Sequence, residues 1–229
     1  MDSGSAARTR SRSSVDSWSK PGRTLGPVPT SSAPASLSDY AFVAVPGPWG
    51  PIHLAAGVRG LVALEILTPP DVFSESLSRR LHASVLPLPG ASAPIRDRLD
   101  EAVAALEQFF DGGTPAATAF EDIALDLDGR ADWDRRIFAG VRQVPRGSVT
   151  SYGRLARLIG SPGAARASGG AVGRNPIGLA IPCHRVIAAD GSIGGYGGDW
   201  WGGRQRLLDI KRELLEREGV TLPATVFVG

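Results

Sequence analysis

Ser148-Val149-Thr150-Ser151-Tyr152-Gly153-Arg154-Leu155-Ala156-Arg157-Leu158-Ile159 is followed by Gly160-Ser161-Pro162-Gly163 and then by Ala164-Ala165-Arg166-Ala167-Ser168-Gly169-Gly170-Ala171-Val172. Leu155, Leu158 and Ile159 recur at helical spacing, so 152–159 reads as a short amphipathic helix. The Gly/Pro cluster at 160–163 breaks it, and the small-residue run 164–172 resumes as a second helix with Arg166 near its start. Helix, tight turn and a second helix led by a basic residue is helix-turn-helix grammar, which DNA-binding domains share with ordinary helical hairpins.

Upstream of this unit, 133–141 is a further helix candidate, ended at Pro145-Arg146-Gly147. The character before about residue 126 is different. Apolar runs at 40–45, 51–56 and 61–66, separated by Gly/Pro turns, predict an antiparallel meander. Leu99, Val103, Leu106 and Phe110 place an amphipathic helix over 95–110, stopped by Gly112-Gly113, and 120–127 reads as an acidic strand. Residues 1–36 are rich in Ser, Arg, Pro, Gly and Ala without apolar periodicity and read as a disordered tail. The expected organisation is therefore α+β: the tail, an α+β domain over 37–125, a mostly helical DNA-binding domain over 126–222, and a short tail at 223–229.

The charge is divided unevenly. Residues 1–35 carry +3, 36–128 carry −8 and 129–229 carry +7, returning the net +2. A basic final segment beside an acidic middle is the distribution expected when one half meets a polyanion. The longest apolar stretches fall far short of the roughly 20 residues that span a bilayer, and no apolar segment follows Arg8, Arg10 and Arg12 as in a secretory signal. The reading is a soluble protein of a bacterial-type cytoplasm, or of the nucleus in a eukaryote, with no membrane role. The absence of an obvious pairing helix makes a monomer with no obligate protein partner the expectation.

One cysteine and three histidines exclude an intramolecular disulfide and a Cys-rich zinc site, so no metal and no cofactor are expected. That cysteine, Cys183, sits in Leu179-Ala180-Ile181-Pro182-Cys183-His184-Arg185-Val186-Ile187. A lone Cys is ordinarily a small buried hydrophobe. A nucleophilic one needs a base or a positive environment to supply thiolate, and His184 and Arg185 are immediate candidates.

Ser151-Tyr152-Gly153, Ala164-Ala165-Arg166-Ala167, Asn175-Pro176, Pro182-Cys183-His184-Arg185-Val186 and Gly191-Ser192-Ile193-Gly194-Gly195-Tyr196-Gly197-Gly198 together resemble the methylated-DNA–protein-cysteine methyltransferases. Order and spacing agree, with Arg166 and Tyr152 preceding Cys183 by 17 and 31 positions. The resemblance is dense from about 126 to 219 and looser over 40–125. It implies a ribonuclease-H-like first domain, a winged-helix-like second domain, and single-turnover transfer of an alkyl group from O6-alkylguanine, with O4-alkylthymine as a further substrate, in double-stranded DNA to Cys183. The damaged base is flipped out of the stack, because its substituent is otherwise beyond a protein nucleophile. Arg166 then fills the vacated space, while Ser151, Tyr152, Ala167, Gly169, Gly170 and Arg174 contact DNA. Small residues on that helix suit a narrow minor groove. Tyr152, Val172, Gly178, Val186, Ile193, Tyr196, Gly197 and Gly198 form the substrate pocket, the last three in a lid loop. Asn175 is a hinge to the Cys loop.

The same resemblance implies a relay from Cys183 through water to His184 and a glutamate. Lys211-Arg212-Glu213-Leu214-Leu215-Glu216-Arg217-Glu218-Gly219 matches the family's final helix and makes Glu218 that acid after an apparent insertion, 199–206. A competing alignment centred on Arg206-Leu207-Leu208-Asp209 places Lys211 there instead, where it could not serve; Glu218 is favoured. Ser168 replaces a usual apolar residue, and Gly178, where some members carry a bulkier side chain, implies tolerance of alkyl groups larger than methyl. The runner-up is a non-catalytic alkyltransferase-like protein that binds lesions; such proteins carry another residue in place of the cysteine. A Cys-His hydrolase lacks a second base and an oxyanion hole in the motifs, and a purely regulatory helix-turn-helix leaves Cys183 and the lid without a role.

Overall fold

The computed structural model describes residues 39–111, 118–198 and 201–222, so the two expected tails lie outside the described residues. The meander forms as the alternating pattern requires: β1 (Tyr40–Gly47), β2 (Gly50–Gly57) and β3 (Gly60–Ile66) are antiparallel, and β4 (Val85–Pro87) joins β1 in parallel, giving the order β3-β2-β1-β4. Strand side chains alternate between faces. Leu54 and Ala56 accordingly meet α2 (Ala93–Asp111), and Ala55 meets α1 (Pro70–Leu81), so the sheet is covered on both sides. The α2 helix matches its expected position and buries Ile95, Leu99, Leu106 and Phe109. The α1 helix was not anticipated; Pro70 at its first position suits a helix start, and only Phe73 and Leu77 are buried along it.

The expected strand over 120–127 shrinks to a single bridge, Leu61 to Leu125, made by Leu61 N–H to Ala124 O and Asp126 N–H to Leu61 O. Asp126, its side chain largely covered, and exposed Asp128 both pair with Arg59. The second half follows the expected order: α3 (Asp132–Arg142), β5 (Thr150–Ser151), α4 (Tyr152–Leu158), α5 (Ala165–Gly173), β6 (Val186–Ile187) and α6 (Arg204–Arg217). The molecule is thus mixed α+β. No helix among the described residues is long and apolar enough to cross a membrane.

The 125/126 boundary expected from composition is crossed by one hydrophobic core. Leu54, Leu64 and Leu99 belong to the same buried cluster as Ile137, Phe138, Ile181, Cys183 and Leu214. The exposed edge of β3 is capped by the Asn175 hinge, through Leu64 N–H to Pro176 O at 2.9 Å and Gly178 N–H to Leu64 O at 3.0 Å. An unpaired edge is a liability in any sheet. Here it holds the segment that leads to Cys183.

His53 lies fully buried in β2, stacked on Phe73 at 5.1 Å between centroids, and neither ring nitrogen has a hydrogen-bond partner among the described residues. Burial lowers its pKa below the ordinary 6.5. The unfolded chain therefore takes up the proton first, and stability present above 6.5 is lost as pH falls below it. Urea unfolding at pH 7.5 and 5.5 should show that His53→Leu loses less stability on acidification than wild type, by at most about 1.4 kcal/mol.

Candidate active site

Asn175 sets the loop that carries Cys183. Its side-chain amide donates to Ile181 O at 2.8 Å and its Oδ1 accepts from Ile177 N–H at 3.0 Å, so one buried side chain closes both ends of the turn. Within it, Leu179 adopts φ 64° and Ala180 N–H reaches Gly178 O at 2.7 Å. Pro182, at φ −76° and ψ 64°, forms an inverse γ-turn closed by Cys183 N–H to Ile181 O at 2.7 Å. The proline ring presets this φ and delivers Cys183 as the first residue of a one-turn 3-10 helix, Cys183–Arg185. Strand β6 follows at once and pairs in parallel with β5, Thr150 opposite Val186 and Ser151 opposite Ile187. Tyr152 begins α4 immediately after β5, so the ladder fixes the helix-turn-helix unit relative to the cysteine turn.

Behind that turn lies one carboxylate. Glu218 caps α6 and its Oε1 is 3.0 Å from His184 Nε2; Arg185 donates from Nε to Oε2 and from Nη2 to Oε1, each at 2.9 Å, and from Nη1 to Val144 O at 2.7 Å. Burial alone would raise the Glu218 pKa, but the hydrogen bonds and charges of His184 and Arg185 outweigh it and hold the group at about 2. An ionised carboxylate only accepts, so Nε2 of His184 carries the proton. Burial pushes the imidazole pKa below 6.5 against the pull of Glu218, leaving the ring neutral at pH 7. Nδ1 is then a buried acceptor with no partner among the described residues. A neutral imidazole with one nitrogen fixed by a carboxylate and the other free has the chemistry of a general base.

Cys183 is 3% exposed and burial raises its pKa, partly offset by a hydrogen bond from Asn175 and by the nearby charge of Lys211. It lines a cavity of about 460 Å³ together with Tyr152, Val172, Gly195, Tyr196 and Gly198. Gly198, at φ 51°, packs so closely on Gly173 that a Cβ would overlap its carbonyl, which is why the 195–198 loop packs on α5 only with glycine at this point. Lys211 is the site residue that sequence reading missed, appearing there only as a rival for the acid position. It is fully buried and donates to Val186 O at 2.6 Å and Gly195 O at 2.8 Å, joining the strand after the cysteine to the lid. Burial brings its pKa down to about 8. The available signal was its place in the apolar stripe of α6, four residues from both Leu207 and Leu215.

Cys183, His184, Asn175 and Glu218 are brought together, and Tyr152, Val172, Tyr196, Gly197 and Gly198 line the cavity with Gly169. Gly178, Val186 and Ile193 are not among its lining residues. Gly178 is buried in the seam against β3, its N–H on Leu64 O, so the expectation that it widens the pocket for larger alkyl groups loses its basis. Val186 is in the core, its carbonyl on Lys211. Arg166, Ala167 and Gly170 are exposed on α5. Ser151 is buried and its hydroxyl accepts from Arg154 N–H as the cap of α4, which leaves its O–H to donate. Arg174 forms a two-point pair with Asp134, at 2.9 and 2.6 Å, that bolts α5 to α3. Ser168 returns its hydroxyl to Ala164 O at 3.0 Å, which makes a polar residue acceptable at a buried position. Of the apparent insertion, Arg204, Gln205 and Arg206 are the first turn of α6.

Residues 132–220, from α3 to the end of α6, match the family described as 6-O-methylguanine DNA methyltransferase, DNA binding domain. Over more of its length the chain is 38% identical to the methylated-DNA–protein-cysteine methyltransferase of Mycobacterium tuberculosis H37Rv, across 79% of this chain and 93% of the relative. A shorter match to the Mycolicibacterium paratuberculosis protein of the same name reaches 46% over 105 residues, 46% of this chain and 58% of that relative. The fold superposes on Mycobacterium tuberculosis OGT crystallised with DNA at TM-score 0.57 and 36% identity, covering 78% of this chain and 92% of that one. The Pyrococcus kodakaraensis O6-methylguanine-DNA methyltransferase shares the fold at TM-score 0.54 and 23% identity, over 79% of this chain and 99% of that one. The chain belongs to the methylated-DNA–protein-cysteine methyltransferase family.

Two outcomes test the site. Because the Glu218 pKa lies below the unfolded 4.5, its contribution is complete above 4.5 and lost as pH falls toward about 2. Glu218→Gln should therefore be less stable at pH 7 and show a shallower acid loss in denaturant titrations. Lys211→Met, which leaves two buried carbonyls unpaired, should cost about 2–4 kcal/mol and move the pH profile of Cys183 alkylation by iodoacetamide upward by about half a unit or more.

Proposed function

We propose that the protein repairs DNA by moving the alkyl group of O6-alkylguanine, and of O4-alkylthymine, in duplex DNA onto Cys183, once per molecule. The observation that carries this is a single cavity lined by Cys183, Tyr152 and the Gly195–Gly198 lid loop, with the His184–Glu218 pair buried directly behind the cysteine. Membership in the family supports the activity, and the presence of Cys183 argues against a lesion-binding protein without catalysis. The helix-turn-helix unit would approach the duplex with α5 in the minor groove, where exposed Ala167 and Gly170 allow close contact and exposed Arg166 fills the gap left by the flipped nucleotide. Tyr152 and the lid would hold the guanine.

In the chemical step His184 Nδ1 takes the thiol proton through a bridging water, and the thiolate attacks the alkyl carbon. A sulfur–carbon bond forms as the carbon–O6 bond breaks; the electron pair goes to the guanine, which is reprotonated as the normal base. The thioether product cannot revert, so the protein is consumed. We further propose that residues 37–125 are a ribonuclease-H-like domain and 126–222 a winged-helix-like one, that the protein acts as a monomer, and that it works in the cytoplasm.

Duplex oligonucleotide carrying O6-methylguanine, mixed with the protein and followed by peptide mass spectrometry, should add one methyl group to the Cys183 peptide in wild type and none in Cys183→Ser. Unchanged oligonucleotide with unmodified wild-type protein contradicts the proposal. Binding should weaken steeply with salt as phosphate contacts release counterions.

A further inference from the structure

One wall of the reaction cavity comes from the part of the chain that reads as an insertion. Gly203, Arg204 and Leu207 line it, at the start of α6 and just before. The position is fixed rather than incidental. Gly202, at φ 105°, rests on Leu67 at the end of β3, where a Cβ would come within 2.7 Å of Leu67 Cδ1. Helix α6 starts two residues later, so this contact with the residue that follows β3 lies next to its first turn.

Every other described residue in that lining is Gly, Val, Leu, Tyr or Cys, so Arg204 is the only described lining residue with a fixed charge. Its side chain makes no hydrogen bond or ion pair among the described residues. The first acid along α6, Asp209, is five residues on, outside the i+3 and i+4 positions that face Arg204, and it already accepts from Gln205 at 3.0 Å and from Arg212 at 3.1 Å. Helix stability does not account for the residue either, since a cation in the first turn opposes the helix dipole. An exposed guanidinium on the rim of an otherwise uncharged cavity is a site for an anion, which it can take by two parallel hydrogen bonds.

We infer that Arg204 is an oxyanion-binding residue of the reaction cavity, holding either the phosphate beside the flipped nucleotide or the carboxylate of an anionic O6 substituent. The inference rests on the alkyl-transfer reading above. A phosphate contact anchors any lesion, whereas a carboxylate contact selects lesions such as O6-carboxymethylguanine over O6-methylguanine. Either way the alkyl-transfer chemistry gains a binding contact from the first turn of α6.

Rates of alkyl transfer by wild type, Arg204→Met and Arg204→Lys on duplexes carrying O6-methylguanine or O6-carboxymethylguanine separate the two carriers. The neutral reagent iodoacetamide reports the integrity of the cavity around Cys183. A phosphate contact predicts that Arg204→Met slows both duplexes about tenfold or more, with Arg204→Lys partly restoring both. A carboxylate contact predicts the same loss for the carboxymethyl duplex alone. Iodoacetamide alkylation should stay at the wild-type rate in each case. Duplex rates within twofold of wild type overturn the inference, as does a parallel loss toward iodoacetamide, which would mean a damaged cavity. Wild-type protein inert toward both duplexes would instead remove the alkyl-transfer reading, and the subsite with it.

Discussion

The buried Glu218 carboxylate is the interaction on which the site depends. It accepts one hydrogen bond from His184, two from Arg185 and a longer one from Gly147 N–H at 3.5 Å, with Arg146 at 4.0 Å, and it does so at the C-terminal end of α6. Those contacts join the last helix to the turn that carries Cys183, and Arg185 extends the link to Val144 between α3 and β5. Removing one partner of such a buried set leaves an uncompensated charge, which is why pairs of this kind are costly to break even where they add little net stability. The same carboxylate fixes the proton on Nε2 of His184 and frees Nδ1, so one group serves both the architecture and the chemistry.

A second constraint brings DNA-facing and chemical elements together. The two-residue ladder between β5 and β6 places the start of α4 beside the end of the cysteine turn, and Asn175 closes the loop between α5 and that turn. Lys211 then connects the strand after the cysteine to the lid. The cysteine turn is thus held by one backbone ladder and two buried polar side chains, Asn175 and Lys211. That arrangement suits a site that must accept a base from outside the molecule while keeping its nucleophile covered.

Much of this was legible in the sequence because it is local. The meander, α2 and the helix-turn-helix unit announce themselves by periodicity and by Gly/Pro punctuation, and the motif around Cys183 names its own neighbours. The choice of Glu218 over the alignment that puts Lys211 in its place agrees with the His184 contact. What escaped was set by distant partners. Arg174 has its guanidinium on Asp134, 40 positions away; Gly178 faces β3 rather than the cavity. Lys211 reads as a surface residue until its two carbonyl partners are known. Helix α1 shows too thin an apolar stripe, with Phe73 and Leu77 its only buried residues, to stand out from the loop around it.

Glu218 holds His184 as a neutral imidazole with Nε2 bound and Nδ1 without a partner among the described residues. Nitrogen-15 NMR of the His184 ring measures this directly. At pH 7 the account predicts a protonated Nε2 and an unprotonated Nδ1, with the Nε2 signature lost in Glu218→Gln. A proton on Nδ1, or a fully charged imidazolium at that pH, would contradict it.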